Sequence, residues 1–261
     1  MENINSKLKL SKQKLTSLPI RKIIPNMVTT LAVCAGITSI KYAIADLYTH
    51  AIICIFLAAF FDLLDGRVAR MLKGSTKFGA ELDSLSDFVS FGVSPAILMY
   101  RWTLYDFPKF GWFFCLLFAI CMAMRLARFN TMLEEEPQPS YWDNFFIGVP
   151  APAAAALGIL PIMISFEFPE VDFLRSDWFC SMVMFIVAML MISRIPTIST
   201  KKLKVPTYMV IPLIVILVFG ATLVFSMPWL VLSSLSLLYA VTIPLGVMVF
   251  LKAKKQYITR I

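Results

Sequence analysis

The sequence predicts an all-α membrane protein with about eight transmembrane helices and both termini in the cytoplasm. Of its 261 residues, 59% are hydrophobic and only 15% are charged, whereas soluble domains usually carry about 25% charged residues. Long apolar runs recur along the chain, and most cations fall in every second connection between them. A soluble fold of this size could not cover so many apolar side chains, so a soluble globular protein and a disordered chain are both excluded.

Eight apolar segments are long enough to cross a bilayer, which takes about 20 mostly apolar residues. They lie at residues 26–45, 49–66, 82–102, 110–129, 145–166, 178–196, 207–225 and 229–250. Their short connections predict antiparallel neighbours. We divide the chain into a basic juxtamembrane segment at 1–24, a six-span core at 25–200, and two additional helices with a basic tail at 201–261. The segment 1–24 is either an amphipathic stretch on the inner leaflet or a disordered basic tail.

The positive charges set the orientation, because Lys and Arg concentrate on the cytoplasmic side of membrane proteins. An N-terminus inside the cell places 20 of the 24 cations on that side. The remaining four are Lys41, Arg101, Lys109 and Arg175. The net charge of +8 is then explained by topology and by attraction to anionic lipid and nucleotide, without a nucleic-acid partner.

Few cysteines and histidines limit the chemistry that the chain can perform. The five cysteines lie in apolar runs without a CxxC pair, which favours small buried hydrophobes over disulfides or a zinc site. His50 is the one histidine, so metal sites that need two histidines are excluded. Chemistry must therefore depend on carboxylates, Arg, Lys and hydroxyl groups.

One region interrupts the apolar pattern with aspartates. Asp62 and Asp65 lie three apart near the end of the second span, and Asp83 and Asp87 lie four apart at the start of the third. Each pair shares one helix face. If the two faces meet, four carboxylates converge, and such a cluster must take up protons or hold cations. Oxygen ligands favour Mg²⁺, Mn²⁺ or Ca²⁺.

The residues between these aspartates suit a phosphate-bearing substrate. Gly66 and Gly79 remove side chains where a ligand could approach the backbone. Arg70 can bind a phosphate through two N–H groups, and Thr76 offers a hydroxyl group. A cation that binds both carboxylates and substrate phosphates is the usual magnesium arrangement, and one aspartate could also deprotonate an attacking alcohol.

Eight positions of this region match the pattern D-x2-D-G-x2-A-R-x8-G-x3-D-x3-D without departure. They are Asp62, Asp65, Gly66, Ala69, Arg70, Gly79, Asp83 and Asp87. The sequence thus resembles the CDP-alcohol phosphatidyltransferases. The resemblance implies a membrane enzyme that transfers a phosphatidyl-type group from a CDP-linked lipid to an alcohol and releases CMP. It also implies a homodimer.

The resemblance further implies roles for individual residues. The four aspartates would bind Mg²⁺ or Mn²⁺, and Asp87 would also be the general base. Binding of the CDP-lipid would involve Gly66, Ala69, Arg70, Thr76 and Gly79. Pro25-Asn26-Met-Val-Thr29 resembles the P-N-x-x-T element of the family, which makes Asn26 and Thr29 candidates for the nucleotide site. An ordinary polar cap at a helix start explains these two residues equally well.

Three other stretches indicate the acceptor alcohol. The segment from Asp83 to Ala96, DSLSDFVSFGVSPA, is similar to the phosphatidylserine synthase branch of the family, whereas the glycerol-phosphate branch tends to have LDPLADK there. Residues 125–130, RLARFN, and 146–155, FIGVPAPAAA, agree with the same branch. The resemblance implies transfer from CDP-diacylglycerol to L-serine, which forms phosphatidylserine.

Arg125, Arg128 and Asn130 are the candidates for binding the serine carboxylate, because they lie together at the cytoplasmic end of the fourth span. The two arginines could equally be ordinary anchors of a helix end.

Two alternative functions remain open from the sequence alone. One is the same chemistry with glycerol 3-phosphate or inositol as acceptor. The other is a cation transporter, which the position of the aspartates at one membrane edge and the lack of an inverted repeat disfavour. The branch and the compact chain favour a prokaryotic cytoplasmic membrane with the active site on the cytoplasmic side.

Overall fold

The computed structural model describes residues 20–72, 74, 76–107, 110–132, 145–193, 195–198 and 210–258. Almost all of them are helical, so the all-α prediction is confirmed. Within this part of the chain, three helical stretches are long and apolar enough to cross a membrane, Ile23–Ile44, Gly111–Met132 and Pro228–Leu251. The chain is therefore a helical integral membrane protein. The count of eight spans and the orientation stay predictions, and most of the predicted segment 1–24 lies outside the described residues.

The helices follow one another in the order that the apolar segments predict. Their bounds are α1 (Ile20–Ile44), α2 (Tyr48–Leu72), α3 (Lys77–Asp87), a π-helix (Phe88–Val93), α4 (Ser94–Trp102), α5 (Gly111–Met132), α6 (Ala151–Gly158), α7 (Leu160–Glu167), α8 (Asp177–Ile192), α9 (Val210–Ser226) and α10 (Pro228–Ile258). Short 3₁₀ turns cover Leu104–Asp106 and Asp172–Arg175, and two short strands are β1 (Phe145–Ile147) and β2 (Pro196–Ile198).

Helix α1 is the element against which the N-terminal half assembles, since it packs along α2, α3, the π-helix and α4. Hydroxyl groups join it to its neighbours. Ser39 Oγ donates to Ala51 O of α2 at 2.8 Å, and Ser90 Oγ of the π-helix donates to Ala32 O at 3.2 Å. Small polar residues of this kind let membrane helices approach closely and bond to each other.

The predicted third span is not one regular α-helix. α3, the π-helix and α4 follow without a break from residue 77 to 102, and the wider π turn begins directly after Asp87. A π turn holds one extra residue, so it changes the facing of every side chain beyond it, and such turns are frequent at functional sites. Asp87 therefore lies where the helix geometry changes.

The predicted bounds of the fifth and sixth spans were wrong. Residues 145–147 form β1, which pairs antiparallel with β2, and helix α6 starts only at Ala151. Gly148 has a φ of 75°, a conformation that glycine adopts at little cost and a helix cannot contain. The strand pairing also explains why α8 ends at Ile192, short of the predicted residue 196.

The cysteines are all free, as predicted. Cys115, Cys121 and Cys180 are buried in the core, but Cys34 is exposed. The prediction of a buried site was therefore wrong for Cys34, because the outer face of α1 carries it.

The turn between α1 and α2 is fastened to the end of α4 by an ion pair. Asp46, at a φ of 58°, accepts a hydrogen bond from the Tyr48 hydroxyl at 2.9 Å and pairs with Arg101 Nη2 at 2.9 Å. The Tyr48 hydrogen bond, and then the Arg101 guanidinium, lower the pKa of the Asp46 carboxyl from its ordinary value. The turn thus keeps its charge pair over the ordinary pH range.

The close contact between α1 and the π-helix predicts the effect of Gly36→Ala. A Cβ atom at residue 36 would lie 2.8 Å from Ser90 Cα, so the helices must move apart at a cost of about 1–3 kcal/mol. We expect a clearly lower melting temperature in detergent. Gly220→Ala is the matched control, because a Cβ there meets no atom within 4 Å. Equal melting temperatures for the two variants would contradict this packing.

Candidate active site

Three aspartates meet between α2 and α3. Asp62, Asp83 and Asp87 each present a carboxylate oxygen, and these oxygens lie within 4.8 Å of one another. Asp83 Oδ1 and Asp87 Oδ1 are buried and have no hydrogen-bond partner within the described part of the chain. Hard oxygen ligands without a protein partner are the donor set that suits Mg²⁺ or Mn²⁺. The residues therefore fit a divalent cation.

The fourth aspartate is held differently. Asp65 is buried, with 5% of its surface exposed, and its Oδ2 accepts a hydrogen bond from Thr29 Oγ1 at 2.7 Å. It interacts electrostatically with Asp62 and Asp83. The predicted convergence of four carboxylates thus becomes a group of three with Asp65 beside it, fixed to α1.

Helix α1 provides the link between the two acidic helices. The Thr29 hydroxyl bonds Asp65 of α2, and the Thr29 carbonyl accepts a hydrogen bond from Ser86 Oγ of α3 at 3.4 Å. The sequence left open whether the acidic faces of α2 and α3 meet. The P-N-x-x-T element pointed to Thr29 only as a candidate for the nucleotide site, not as a link between these helices.

A cleft of about 140 Å³ opens beside the aspartates. It is lined by Pro25, Asn26, Thr29, Asp65, Gly66, Ala69, Gly74, Thr76, Gly79, Ala80 and Asp83. A Cβ atom at Gly66 would meet nothing within 4 Å, so protein packing does not require glycine there. The open space at Gly66 is available to a ligand.

The opposite wall of the cleft is the start of α3. The Thr76 hydroxyl caps this helix by accepting a hydrogen bond from the Gly79 N–H at 2.9 Å. A Cβ atom at Gly79 would lie 2.9 Å from Asn26 Oδ1 and 3.1 Å from Thr76 Oγ1, so glycine allows Asn26 to reach the cap. Because α1 begins at Ile20, Asn26 lies inside the helix and is not a cap of α1. The N–H groups at a helix start favour an anion.

Arg70 is not one of the lining residues of the cleft but lies one helical turn after Gly66, which is. Its side chain is exposed, and its Nε donates to the Gly66 carbonyl at 3.0 Å. This bond places the base of the guanidinium next to the open glycine.

The three candidates for acceptor binding have different surroundings. The guanidinium of Arg125 interacts electrostatically with Asp87 and Asp62, and its buried Nε has no hydrogen-bond partner among the described residues. Asn130 Nδ2 donates a hydrogen bond to Ser84 Oγ at 2.9 Å. Sequence reasoning missed this contact, although Ser84 is one of the residues that distinguish the two branches compared above.

Arg128 donates its guanidinium hydrogen bonds to carbonyl groups at the end of α8. It donates to the carbonyl oxygens of Ile192 at 2.6 Å, Met191 at 3.1 Å and Ser193 at 3.3 Å. The last carbonyls of a helix lack partners inside the helix, and a cation satisfies them. The structure therefore places Arg125 and Asn130 toward the aspartates and their helix, and Arg128 on a helix end.

Comparison with known proteins gives the class of this site. The CDP-alcohol phosphatidyltransferase family model matches residues 22–192, which include the cleft, the aspartates and the arginines. The chain belongs to this family, whose members in general depend on a divalent metal.

Individual relatives carry a more specific name. The chain is 38% identical over 228 residues to the CDP-diacylglycerol–serine O-phosphatidyltransferase of Mycobacterium leprae, which covers 87% of this chain and 75% of that protein. It is 35% identical over 182 residues to the protein of the same name from Helicobacter pylori, covering 70% and 74%. With the one from Bacillus subtilis the identity is 35% over 145 residues, covering 56% and 76%.

The cluster of Asp62, Asp83 and Asp87 predicts that metal binding stabilises the protein and that Asp83→Asn removes this effect. A bound ion at about one hundred times its dissociation constant adds about 2.7 kcal/mol to the unfolding free energy. We expect Mn²⁺ or Mg²⁺ to raise the melting temperature of the wild type in detergent. The Asp83→Asn variant should melt no lower than the metal-free wild type, because one repelling charge is gone, and should respond weakly to the ion.

Glu81→Gln is the matched control, since Glu81 lies on the same helix and is exposed. This variant should keep the full response. A response that Asp83→Asn leaves unchanged would show that the ion binds elsewhere.

Proposed function

We propose that this protein transfers the phosphatidyl group of CDP-diacylglycerol to the hydroxyl group of L-serine, which releases CMP and forms phosphatidylserine. The observation that carries the proposal is the group of three carboxylates with two unpartnered buried oxygens beside a cleft that ends at a helix start. The names of the relatives support the same substrates.

Asp62, Asp83 and Asp87 would hold the divalent cation, with Asp65 beside them. When bound, Mg²⁺ or Mn²⁺ offsets the negative charge of the diphosphate and of the leaving CMP. Thr29 keeps Asp65 in place through its 2.7 Å hydrogen bond, so the acidic helices need not rely on each other for their spacing.

The CDP head group would bind in the cleft. The positive end of the α3 dipole and the guanidinium of Arg70 both favour anionic oxygens. Gly66 leaves room for the diphosphate, and Ala69 leaves room for the nucleotide. Asn26 and Thr76 lie together at Gly79, where their polar groups can bond the nucleotide.

Asp87 would act as the general base. It accepts the proton of the serine hydroxyl while the serine oxygen attacks the phosphorus that carries diacylglycerol. The bond between that phosphorus and the CMP oxygen breaks, and CMP leaves with the bonding electrons. We favour this direct transfer over a phosphatidyl-enzyme intermediate, because Asp87 can activate the serine hydroxyl group itself.

Arg125 is the residue that we assign to the serine carboxylate. Its guanidinium interacts with Asp87, so it can hold serine with the hydroxyl group near the base. Asn130 contributes through Ser84, which directly follows the metal ligand Asp83. Arg128 is left out of the acceptor site because three carbonyl groups use its N–H donors.

The membrane arrangement is also part of the proposal. With eight spans, both termini and the cluster of Asp62, Asp83 and Asp87 would lie on the cytoplasmic side of a prokaryotic cytoplasmic membrane. The acyl chains of the substrate would stay in the bilayer. The six-span core at 25–200 holds the site, and the two helices of 201–261 are added to it. A homodimer stays a prediction of the family resemblance.

The base assignment predicts that Asp87→Asn abolishes the release of CMP while the protein stays folded. An amide cannot accept the serine proton at this position. Activity is measured as CMP released from CDP-diacylglycerol with L-serine, glycerol 3-phosphate or inositol, and only L-serine should support turnover by the wild type. Chelation with EDTA should stop it, and added Mn²⁺ or Mg²⁺ should restore it.

Asp106→Asn is a matched control, because Asp106 lies in the 3₁₀ turn remote from the cleft, and it should keep wild-type activity. Full turnover by Asp87→Asn would disprove the base assignment, and faster turnover with another acceptor would disprove the choice of serine.

The orientation predicts which introduced cysteines an impermeant reagent reaches. In a variant without its native cysteines, Lys77→Cys should be labelled by an impermeant maleimide only after cell lysis, and Tyr105→Cys should be labelled in intact cells. Both positions are exposed, so their reactivity reports the side of the membrane. The reverse pattern would invert the topology and place the cleft outside the cell.

A further inference from the structure

We propose that the hydrogen bond between Ser84 of α3 and Asn130 of α5 determines which acceptor reaches Asp87. In this role the two side chains are positioning residues, because they hold α5, with Arg125, at a fixed distance from the helix that carries the base. The inference rests on the proposed function, since it takes Asp87 as the base and Arg125 as the group that binds the acceptor carboxylate.

The contact joins two helices that are far apart in the chain. Asn130 Nδ2 donates to Ser84 Oγ at 2.9 Å. The Ser84 hydroxyl can in turn donate to the Ala80 carbonyl of its own helix at 3.1 Å, so it accepts from one helix while it is held by the other. Both side chains are half-buried. Ser84 directly follows Asp83, so the end of α5 is fixed to the part of α3 that contributes to the carboxylate cluster.

The same two helical stretches touch at a second point. A Cβ atom at Gly92 would lie 3.1 Å from Met122 Cγ, and α5 packs against the π-helix that contains Gly92. Gly92 lies eight residues after Ser84, and Met122 lies eight residues before Asn130. The two stretches therefore run antiparallel and touch at two points about 12 Å apart along each helix.

Asp87 and Arg125 lie between these two contacts. Asp87 is three residues after Ser84, and Arg125 is three residues after Met122, so each shares a helix face with a residue of one contact. Asp87 Oδ1 and Arg125 Nε are buried and have no hydrogen-bond partner in the described part of the chain. Buried polar atoms normally have a partner, and one molecule with a hydroxyl group and a carboxylate can supply both.

The two contacts limit the length of the acceptor that fits between them. The Gly92 end is set by close packing against Met122, whereas the Ser84 end is held by a side-chain hydrogen bond. Without that bond, the end of α5 can move away from α3 and take Arg125 with it. The space between the base and the guanidinium would then suit L-serine less well and would admit a longer hydroxy acid. The residues that line the CDP-lipid cleft all lie between 25 and 83, before α5, so binding of the lipid should not change.

The test compares Ser84→Ala, Asn130→Ala and Thr131→Ala in the full chain, with the release of CMP as the assay. Ser84→Ala and Asn130→Ala should each raise the KM for L-serine about threefold to tenfold, the usual effect of losing one hydrogen bond. The KM for CDP-diacylglycerol should stay at the wild-type value. Thr131→Ala is the matched control and should behave as the wild type, because Thr131 is exposed and its hydroxyl donates to a carbonyl of its own helix.

Acceptor selectivity provides a readout that a general loss of stability would not move. L-Homoserine has the same carboxylate as L-serine and a hydroxyl group one methylene farther away. The ratio of kcat/KM for L-serine to kcat/KM for L-homoserine should fall about fivefold in Ser84→Ala, since one methylene is worth about tenfold or more in a site of fixed size. Ser84→Thr keeps the hydroxyl group and should keep the wild-type ratio.

Three results would overturn the proposal. One is a KM for L-serine or a selectivity ratio in Ser84→Ala that differs less than about twofold from that of Thr131→Ala. Another is a rise of the KM in Asn130→Ala alone, which would mean that Asn130 binds the acceptor directly. The third is a multiplicative rise in the variant with both Ser84→Ala and Asn130→Ala, because two residues that act as one pair should give the double variant the KM of either single variant.

Failure of the proposed function would look different. If the wild type releases no CMP with L-serine, the choice of serine fails and this inference fails with it. If the wild type uses L-serine while Ser84→Ala keeps the wild-type KM and selectivity, only the role of the Ser84–Asn130 hydrogen bond fails.

Discussion

Repulsion among buried carboxylates is the constraint on which this site depends. Asp62, Asp83 and Asp87 each bring one carboxylate oxygen within 4.8 Å of the others. Asp83 Oδ1 and Asp87 Oδ1 are buried and have no hydrogen-bond partner in the described chain. Removing such charges from water is costly unless an opposite charge balances them. A positive charge beside these carboxylates therefore stabilises the site. A divalent cation can supply that charge, and Arg125 can supply part of it on one side. The same electrostatic effect favours binding of a metal-bound diphosphate in the cleft.

The rest of the fold keeps these charges together. Helix α1 lies between the acidic helices and bonds both through Thr29, while serine hydroxyls and Gly36 let the neighbouring helices approach it. The π-helix begins directly after Asp87. Asp87 therefore lies at the point where the helix changes from α to π geometry. Because lipid tails are as apolar as the side chains, membrane helices associate through close packing of small residues and through hydrogen bonds between polar ones.

The sequence was sufficient to predict that the chain is helical and that aspartates of two neighbouring helices come together. The spacing of Asp62 and Asp65 gives them one face of α2, and the spacing of Gly79, Asp83 and Asp87 gives them one face of α3. That relation is local. The failures are not local. The start of the fifth span was wrong because β1 pairs with a segment about fifty residues later. The partners of Arg128 are carbonyls at the end of another helix, and no spacing within α5 could indicate them.

The most direct test of the central claim is the position of the metal itself. Crystals of the full chain grown with Mn²⁺ and CDP-diacylglycerol should show an anomalous scattering peak between the carboxylates of Asp62, Asp83 and Asp87, next to the diphosphate. A cleft that holds the nucleotide while no manganese peak lies at these carboxylates, or a peak bound elsewhere, would contradict the account.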